Sequence, residues 1–336
     1  MTVLDSPNRL DVGDRLRSFD FTDFQGRPTS LDLMTLAGWP MVLHFSGGGE
    51  AAITELKALS RVTNEIAALE VPVVAITALE VEGLPAKLDG GALPLAILPN
   101  RDGRISTALG TTADEHALLV GPDLRVKRRL TPQPDRPLAT AIVDECRRLT
   151  DRGGERVVAA QAPVLLLPDV FPRAFCAKLI DYWNVREKRN DMVGYGGSNT
   201  ANRDAKRRQD VVVEDKTLLS EIQALLQRRM VFEVHKAFFF QIRKAEPFKI
   251  GCYDAGERGW FRPHRDNEVA ACAHRRFAMS LMLSEGYEGG EVRFAEYPGL
   301  LYKAPMGGAL IFSCSLLHEV TPVTQGRRFG LFGFFS

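Results

Sequence analysis

The chain has 336 residues, which at ~100–200 residues per domain is enough for two sizeable cores. Hydrophobic residues make up 45% and charged residues 25%, excluding a mainly disordered, collagenous or coiled-coil chain. Lys and Arg total 43 against 42 Asp and Glu, so a net charge of +1 gives no bulk attraction to nucleic acid or an anionic membrane.

The start, MTVLDSPNRLDVGDRL, carries acids and no apolar core, so no secretory signal is expected there. No apolar run reaches the ~18 residues of a membrane span. Short apolar runs bounded by turn residues predict buried strands at 40–45 and 71–76, and a short third element at 93–98. Between the first two, Ile53, Leu56, Leu59, Val62 and Ile66 recur at helical spacing, predicting a helix over 51–69. Residues 116–120 run into the turn Gly121-Pro122-Asp123, and 124–128 pair back as a hairpin. Its basic run, Arg125 with Lys127, Arg128 and Arg129, reads as a solvated face. A helix over 137–149 closes this part. Strands alternating with helices imply an α/β sandwich with a central sheet. A polar stretch with Gly153-Gly154 then reads as a linker, giving domains at 1–150 and 162–336 joined by 151–161.

The second part has a different pattern. Helices are predicted at 172–183 and 216–233. The polar, glycine-rich stretch 186–210, with Arg186, Lys188, Arg189, Arg203, Lys206, Arg207 and Arg208, reads as a mobile loop. From about 237 onward come short aromatic and β-branched strands with glycine turns, at 238–242, 248–253, 277–283, 290–294, 309–314 and 329–335. Such spacing suggests a β-sandwich or barrel. The five cysteines, Cys146, Cys176, Cys252, Cys272 and Cys314, are scattered and never spaced C-x-x-C. A reducing cytoplasm fits them better than a disulfide framework.

The strongest chemical signal is His264-Arg265-Asp266. On a strand, residues i and i+2 project to the same face, where an imidazole and a carboxylate can chelate one metal. His318 follows the apolar run 309–314, far enough along to return opposite His264. Two histidines and one carboxylate form the ligand set of non-haem Fe(II) oxygenases, which leave other metal positions open. Ten residues after His318 stands Arg328, in an otherwise apolar strand. A core arginine needs a partner, and a carboxylate co-substrate matches the two-pronged guanidinium. The remaining histidines, His44, His116, His235 and His274, have no ligand-type neighbour at chelating spacing.

Tyr253-Asp254-Ala255-Gly256, Phe261-Arg262-Pro263-His264-Arg265-Asp266-Asn267, Glu288-Gly289-Gly290-Glu291, His318-Glu319-Val320-Thr321-Pro322 and Gly326-Arg327-Arg328 stand in this order. Together they resemble the prolyl 4-hydroxylase-like Fe(II)/2-oxoglutarate dioxygenases over roughly 162–336. The resemblance implies a double-stranded β-helix (jelly-roll) core with Fe(II) held by His264, Asp266 and His318. It implies 2-oxoglutarate on the metal with its far carboxylate on Arg328, O2 as oxidant and ascorbate as a reductant. Tyr253 stands where the family often places a tyrosine that hydrogen-bonds 2-oxoglutarate. The expected reaction is hydroxylation of a peptide, amino acid or small metabolite. Relatives that halogenate lack the carboxylate that Asp266 supplies. The alternative is a module that senses metal or 2-oxoglutarate without turnover. The strand 278–283 carries methionine where relatives often carry tyrosine, a departure from the family's pattern.

In the first part, Val12-Gly13-Asp14, Phe19-Asp20-Phe21 and Gln25 to Leu31 resemble the opening of a peroxiredoxin-type thioredoxin fold. That family needs a thiolate at the start of the following helix. Here the stretch is Ser46-Gly47-Gly48-Gly49-Glu50-Ala51-Ala52, without cysteine. The domain is therefore expected to be inactive by the thiol route and to serve docking, substrate presentation or dimerisation, with Cys146 as a packing residue.

Overall fold

The computed structural model describes residues 10–16, 18–23, 27–31, 38–79, 96–112, 114, 116–150, 157–158, 160–190, 193–195, 198–200 and 205–336. They fall into two units, one ending before and one starting at Val157. Residues 93–95, the loop positions 191–192, 196–197 and 201–204, and linker residues 151–156 lie outside the described residues.

The first unit is built on a five-stranded sheet in the order Ala96–Pro99, Val73–Thr77, Met41–Ser46, His116–Val120, Val126–Leu130. The first three strands are mutually parallel, and the last two run antiparallel as a hairpin. Met41–Ser46, Val73–Thr77 and His116–Val120 are buried along their whole length, as continuous apolar runs in a sheet covered on both faces must be. The helices Gly49–Ala68 and Leu138–Thr150 cover one face, packing Leu56, Leu59, Ile142 and Cys146 against Val42, Ala75 and Leu119. Met41, Leu43, Phe45, Ile76 and Leu118 face the other way, toward Ile105 of the short helix Arg104–Ala108. Arg125 is not part of a solvated face: it is buried, and its guanidinium donates to the Gly13 carbonyl at 2.6 Å.

Buried His44 and His116 occupy this sheet, His116 stacked on Phe45 at 4.4 Å. Burial, with His116 adding to it, pushes His44 down from an ordinary 6.5 to about 4. The folded unit therefore prefers neutral His44, and the unfolded chain binds the extra proton between those two values. His44 thus supports stability fully above pH 6.5, and that support fades as pH falls toward 4. At ~1.4 kcal/mol per pKa unit the swing is roughly 3 kcal/mol. Urea unfolding of the full chain across this window is expected to show wild type losing that much more than His44→Leu. Parallel pH profiles would remove the assignment.

The second unit is built on two large antiparallel sheets, beside two two-stranded ones. The larger has seven strands in the order Val164–Leu167, Ala309–Ser313, Phe277–Met282, Arg327–Phe335, Lys249–Asp254, Gln209–Val212, Arg189–Asn190. The smaller runs Lys206–Arg207, Trp260–His264, His318–Val320, Val292–Phe294, Leu301–Tyr302. This is a jelly-roll-like pair of sheets. Strand alternation decides which residues see the site. Ala309, Ile311, Met279, Leu281, Phe329, Leu331, Ile250 and Cys252 join one large cluster with Phe175, Leu179, Ile222 and Leu225 of the helices Arg173–Asn184 and Lys216–Leu226. Their neighbours Leu310, Phe312 and Ala278 pack instead with Phe294 and Tyr302 of the smaller sheet. The opposite parity of each large-sheet strand thus faces the space between the sheets.

Two expectations need correction. Residues 238–242 form no strand. The helix that starts at Lys216 passes through a π turn, Gln227–Val231, and continues as Phe232–Phe238. Phe238 and Phe240 then pack on Phe277, while Phe239 turns out to solvent in a left-handed conformation. The aromatic run suits a strand, but packing on an existing sheet ends the helix instead. The stretch 186–210 is also not simply a loop: Lys206–Arg207 and Gln209–Val212 are strands, and Lys206, Arg208 and Asp210 are buried.

Candidate metal centre and active site

His264 ends the strand Trp260–His264, and His318 opens the strand His318–Val320; the two are register partners. Asp266 does not lie on the strand, as the spacing suggested, but in the turn beyond it. It reaches the histidines because the turn is fastened from several sides. Its N–H donates to the Cys314 carbonyl at 3.0 Å, and Arg275 Nη1 donates to its carbonyl at 3.2 Å. Asn267 donates to Ser315 Oγ at 2.8 Å, and Arg265 donates to the Ser315 carbonyl. Arg275 is held in turn by Glu246 in two parallel hydrogen bonds of 2.7 Å.

The three side chains offer ligand atoms that all lie within 4.8 Å of one another. Each imidazole places Nδ1 against a backbone carbonyl, His264 on Arg262 at 2.8 Å and His318 on Leu316 at 2.9 Å. A carbonyl can only accept, so Nδ1 carries the proton and Nε2 keeps its lone pair. Both Nε2 atoms face Asp266, His264 at 3.4 Å from Oδ1 and His318 at 3.4 Å from Oδ2. Burial pushes His318 down to about 4, outweighing the Asp266 carboxylate, so the imidazole is neutral at pH 7. Burial pushes Asp266 upward, but His318, His264 and Arg275 together outweigh it and bring the carboxyl to about 2. One anionic and two neutral donors on one buried spot fit a divalent transition metal, with sites left open to the cavity.

That cavity measures about 280 Å³ and is lined by the triad with Lys206, Arg208, Lys249, Tyr253, Phe261 and Ser280, among others. Phe261 stacks on His264 at 3.5 Å. Arg328, 1% exposed, lies behind this wall: its Nη2 donates to Ser280 Oγ at 3.0 Å, and its guanidinium carbon is 5.0 Å from the Tyr253 ring. Its Nε and Nη1 are buried, lie near the Tyr287 hydroxyl and meet no carboxylate among the described residues. A buried guanidinium is costly unless an anion meets it. The far carboxylate of 2-oxoglutarate suits it, so the residues present fit that group. Gly290 makes room here: it has φ +70°, and a Cβ would come 2.8 Å from Arg328 Cδ. Arg327 faces the other way, over Trp183 at 5.4 Å and half exposed.

Residues 248–336 match the family model described as the 2OG-Fe(II) oxygenase superfamily. A PKHD-type hydroxylase of Hyphomonas neptunium is 31% identical over 148 residues, covering 41% of this chain and 65% of that protein. One from Synechococcus sp. (strain JA-2-3B'a(2-13)) is 30% identical over 115 residues, 32% of this chain and 49% of that protein. The chain thus spans about half the length of the latter relative. Among solved structures, a Pseudomonas putida prolyl-4-hydroxylase has TM-score 0.41 at 18% identity, covering 52% of this chain and 93% of its own. A prolyl hydroxylase from Trichoplax adhaerens has TM-score 0.42 at 13% identity, covering 52% and 84%.

The structure brings together His264, Asp266 and His318, sets Tyr253 in the wall of the same cavity, and holds Arg328 behind that wall against Ser280 and Tyr253. Sequence reasoning put Lys206 and Arg208 in a mobile loop, whereas both are buried at the cavity, and it did not single out Asp210, Ser280 or Arg275. The first three alternate along one stretch, a period-two signal hidden by the density of charge around them.

Proposed function

We propose that the second unit is an Fe(II)- and 2-oxoglutarate-dependent dioxygenase that hydroxylates an unactivated C–H of a peptide, amino acid or small metabolite. The observation that carries this is the pair of Nε2 lone pairs meeting one carboxylate in a cavity lined by Ser280 and Tyr253, with the buried guanidinium of Arg328 held against those two residues. In this reading His264, Asp266 and His318 hold the metal, and Arg328 and Tyr253 hold 2-oxoglutarate. Bound Fe(II) with the oxoacid and O2 supplies the oxidation that exchanges C–H for C–OH, releasing succinate and CO2. The chain's part is to fix donor geometry, anchor the carboxylate and exclude water. The match over 248–336 supports the same reading. The test is incubation of a cell extract with the protein, Fe(II) and 2-oxoglutarate under labelled oxygen. One labelled oxygen gained by an extract component, with succinate formed, is expected. Tight metal and 2-oxoglutarate binding with no succinate would favour a sensor instead.

For the first unit we propose a thioredoxin-like domain without thiol chemistry, serving docking or dimerisation. The mixed sheet, with parallel strands leading into an antiparallel hairpin and a long helix after Met41–Ser46, supports this. Burial pushes the Cys146 thiol up to about 12, far from a reactive thiolate. No thiol-dependent peroxide reduction above background is expected. A Cys146→Ser variant that lost a peroxidase activity present in wild type would overturn this.

A further inference from the structure

Arg208 has no role in the reading above, yet it is buried against the cavity. Asp210 grips it in two parallel hydrogen bonds, Nε to Oδ1 at 2.6 Å and Nη2 to Oδ2 at 2.9 Å. Such a grip fixes the plane of the guanidinium, not only its charge. The pair lies over Gly251, the register partner of Asp210. A Cβ on Gly251 would come 2.5 Å from Asp210 Oδ1 and 2.8 Å from Arg208 Cδ. A bare backbone at this position is therefore part of how the pair is seated. Below, the guanidinium rests 4.0 Å from the Phe332 ring. From its remaining edge, Nη1 donates to the Tyr253 hydroxyl at 3.3 Å.

A guanidinium donates and cannot accept. The Tyr253 oxygen thus spends a lone pair on Arg208, and its own hydrogen must go to another acceptor. Among the described residues no protein oxygen takes it, while Tyr253 lines the cavity. We propose that Arg208, seated by Asp210 over Gly251, is a positioning residue that turns the Tyr253 hydroxyl to donate to an oxygen of 2-oxoglutarate. This rests on the proposed dioxygenase reading, and it adds that Arg208 acts only through the Tyr253 hydroxyl.

The experiment is 2-oxoglutarate binding by equilibrium dialysis to the full chain loaded with Mn(II). Tyr253→Phe and Arg208→Gln are each expected to weaken 2-oxoglutarate about five- to tenfold, the worth of one hydrogen bond. The double variant should be no weaker than Tyr253→Phe alone, because removing the hydroxyl leaves Arg208 nothing to orient. Arg208→Lys, which keeps the charge but loses the fork, should not restore affinity, and Mn(II) binding should stay unchanged throughout. Arg208→Met, similar in length and leaving Asp210 its contact with the buried Lys206 at 3.3 Å, serves in place of the Gln variant should that misfold. Effects that multiply in the double variant, or full affinity in Arg208→Lys, would overturn the proposal while leaving the dioxygenase reading intact. A wild type that binds Mn(II) but no 2-oxoglutarate would overturn both.

Discussion

His318→Ala is expected to abolish succinate formation and to weaken divalent metal binding by more than 100-fold. The hydrogen-bond partners of metal-bound histidines alone are worth roughly 10–100-fold in affinity, and this change removes a ligand itself. The geometry leaves no substitute. The Nε2 of His318 faces Asp266 Oδ2 while His264 faces Oδ1, so the carboxylate stands between two imidazoles that approach from separate strands. The side chain is buried, and its removal leaves a gap between Phe294 and Phe312, whose rings pack on it. Some loss of stability will accompany the loss of metal, so His318→Gln, closer in volume, is the paired variant. Mn(II) titration followed by thermal unfolding separates the two effects. A ligand that binds the folded state raises the melting temperature by mass action. Mn(II) should raise that of wild type and leave both variants unmoved. A variant with wild-type metal affinity would take His318 out of the site.

The convergence of His264, Asp266 and His318 and the burial of Arg328 were legible because each breaks a pattern. His318 and Arg328 stand at the edges of apolar strands where buried polar side chains have no business without a partner. The alternation of those strands also foretold that Arg327 and Arg328 face opposite ways, and it sorts Ile311 from Phe312 onto different faces. What was not legible followed from packing between segments distant in sequence. Asp266 was placed on a strand, whereas its turn is fixed by Cys314, Ser315 and Arg275, none of which local spacing can nominate. Lys206, Arg208 and Asp210 sat in a stretch rich in charge and glycine, which reads as solvated. They are buried because Asp210 pairs with both cations and because Gly251, far along the chain, leaves space for Arg208 and Asp210. The 238–242 run has strand composition, yet its place was set by the preceding helix carrying on through a π turn, and by Phe277 waiting at its end. Local preference lost to tertiary contact in each case.

Arg328→Ala is expected to raise the 2-oxoglutarate requirement by 10–100-fold or more while leaving metal binding largely intact. The guanidinium is 1% exposed, and among the described residues no carboxylate meets its Nε or Nη1, which lie near the Tyr287 hydroxyl. Nη2 donates to Ser280 Oγ at 3.0 Å. Two charge-assisted hydrogen bonds to a carboxylate, at ~1.5–3 kcal/mol each, set the scale of the loss, since ~1.4 kcal/mol is one decade in affinity. Metal binding should survive because neither His264, Asp266 nor His318 bonds to Arg328; the link runs through the ligand. Arg327 is the internal control. Register pairs Arg327 with Asp254 and Arg328 with Tyr253, so the two neighbours point to opposite faces of one strand. Arg327 is half exposed, its Nε 3.6 Å from Asp254 Oδ2, and such surface pairs are worth about 0–1 kcal/mol. Arg327→Ala should therefore leave 2-oxoglutarate affinity unchanged and stability nearly so. Titrating 2-oxoglutarate against both variants, with Mn(II) in place of iron, reads affinity without turnover. If Arg327→Ala weakened the co-substrate and Arg328→Ala did not, the register of the strand Arg327–Phe335 would be wrong by one residue, and with it the placement of every inward side chain along it.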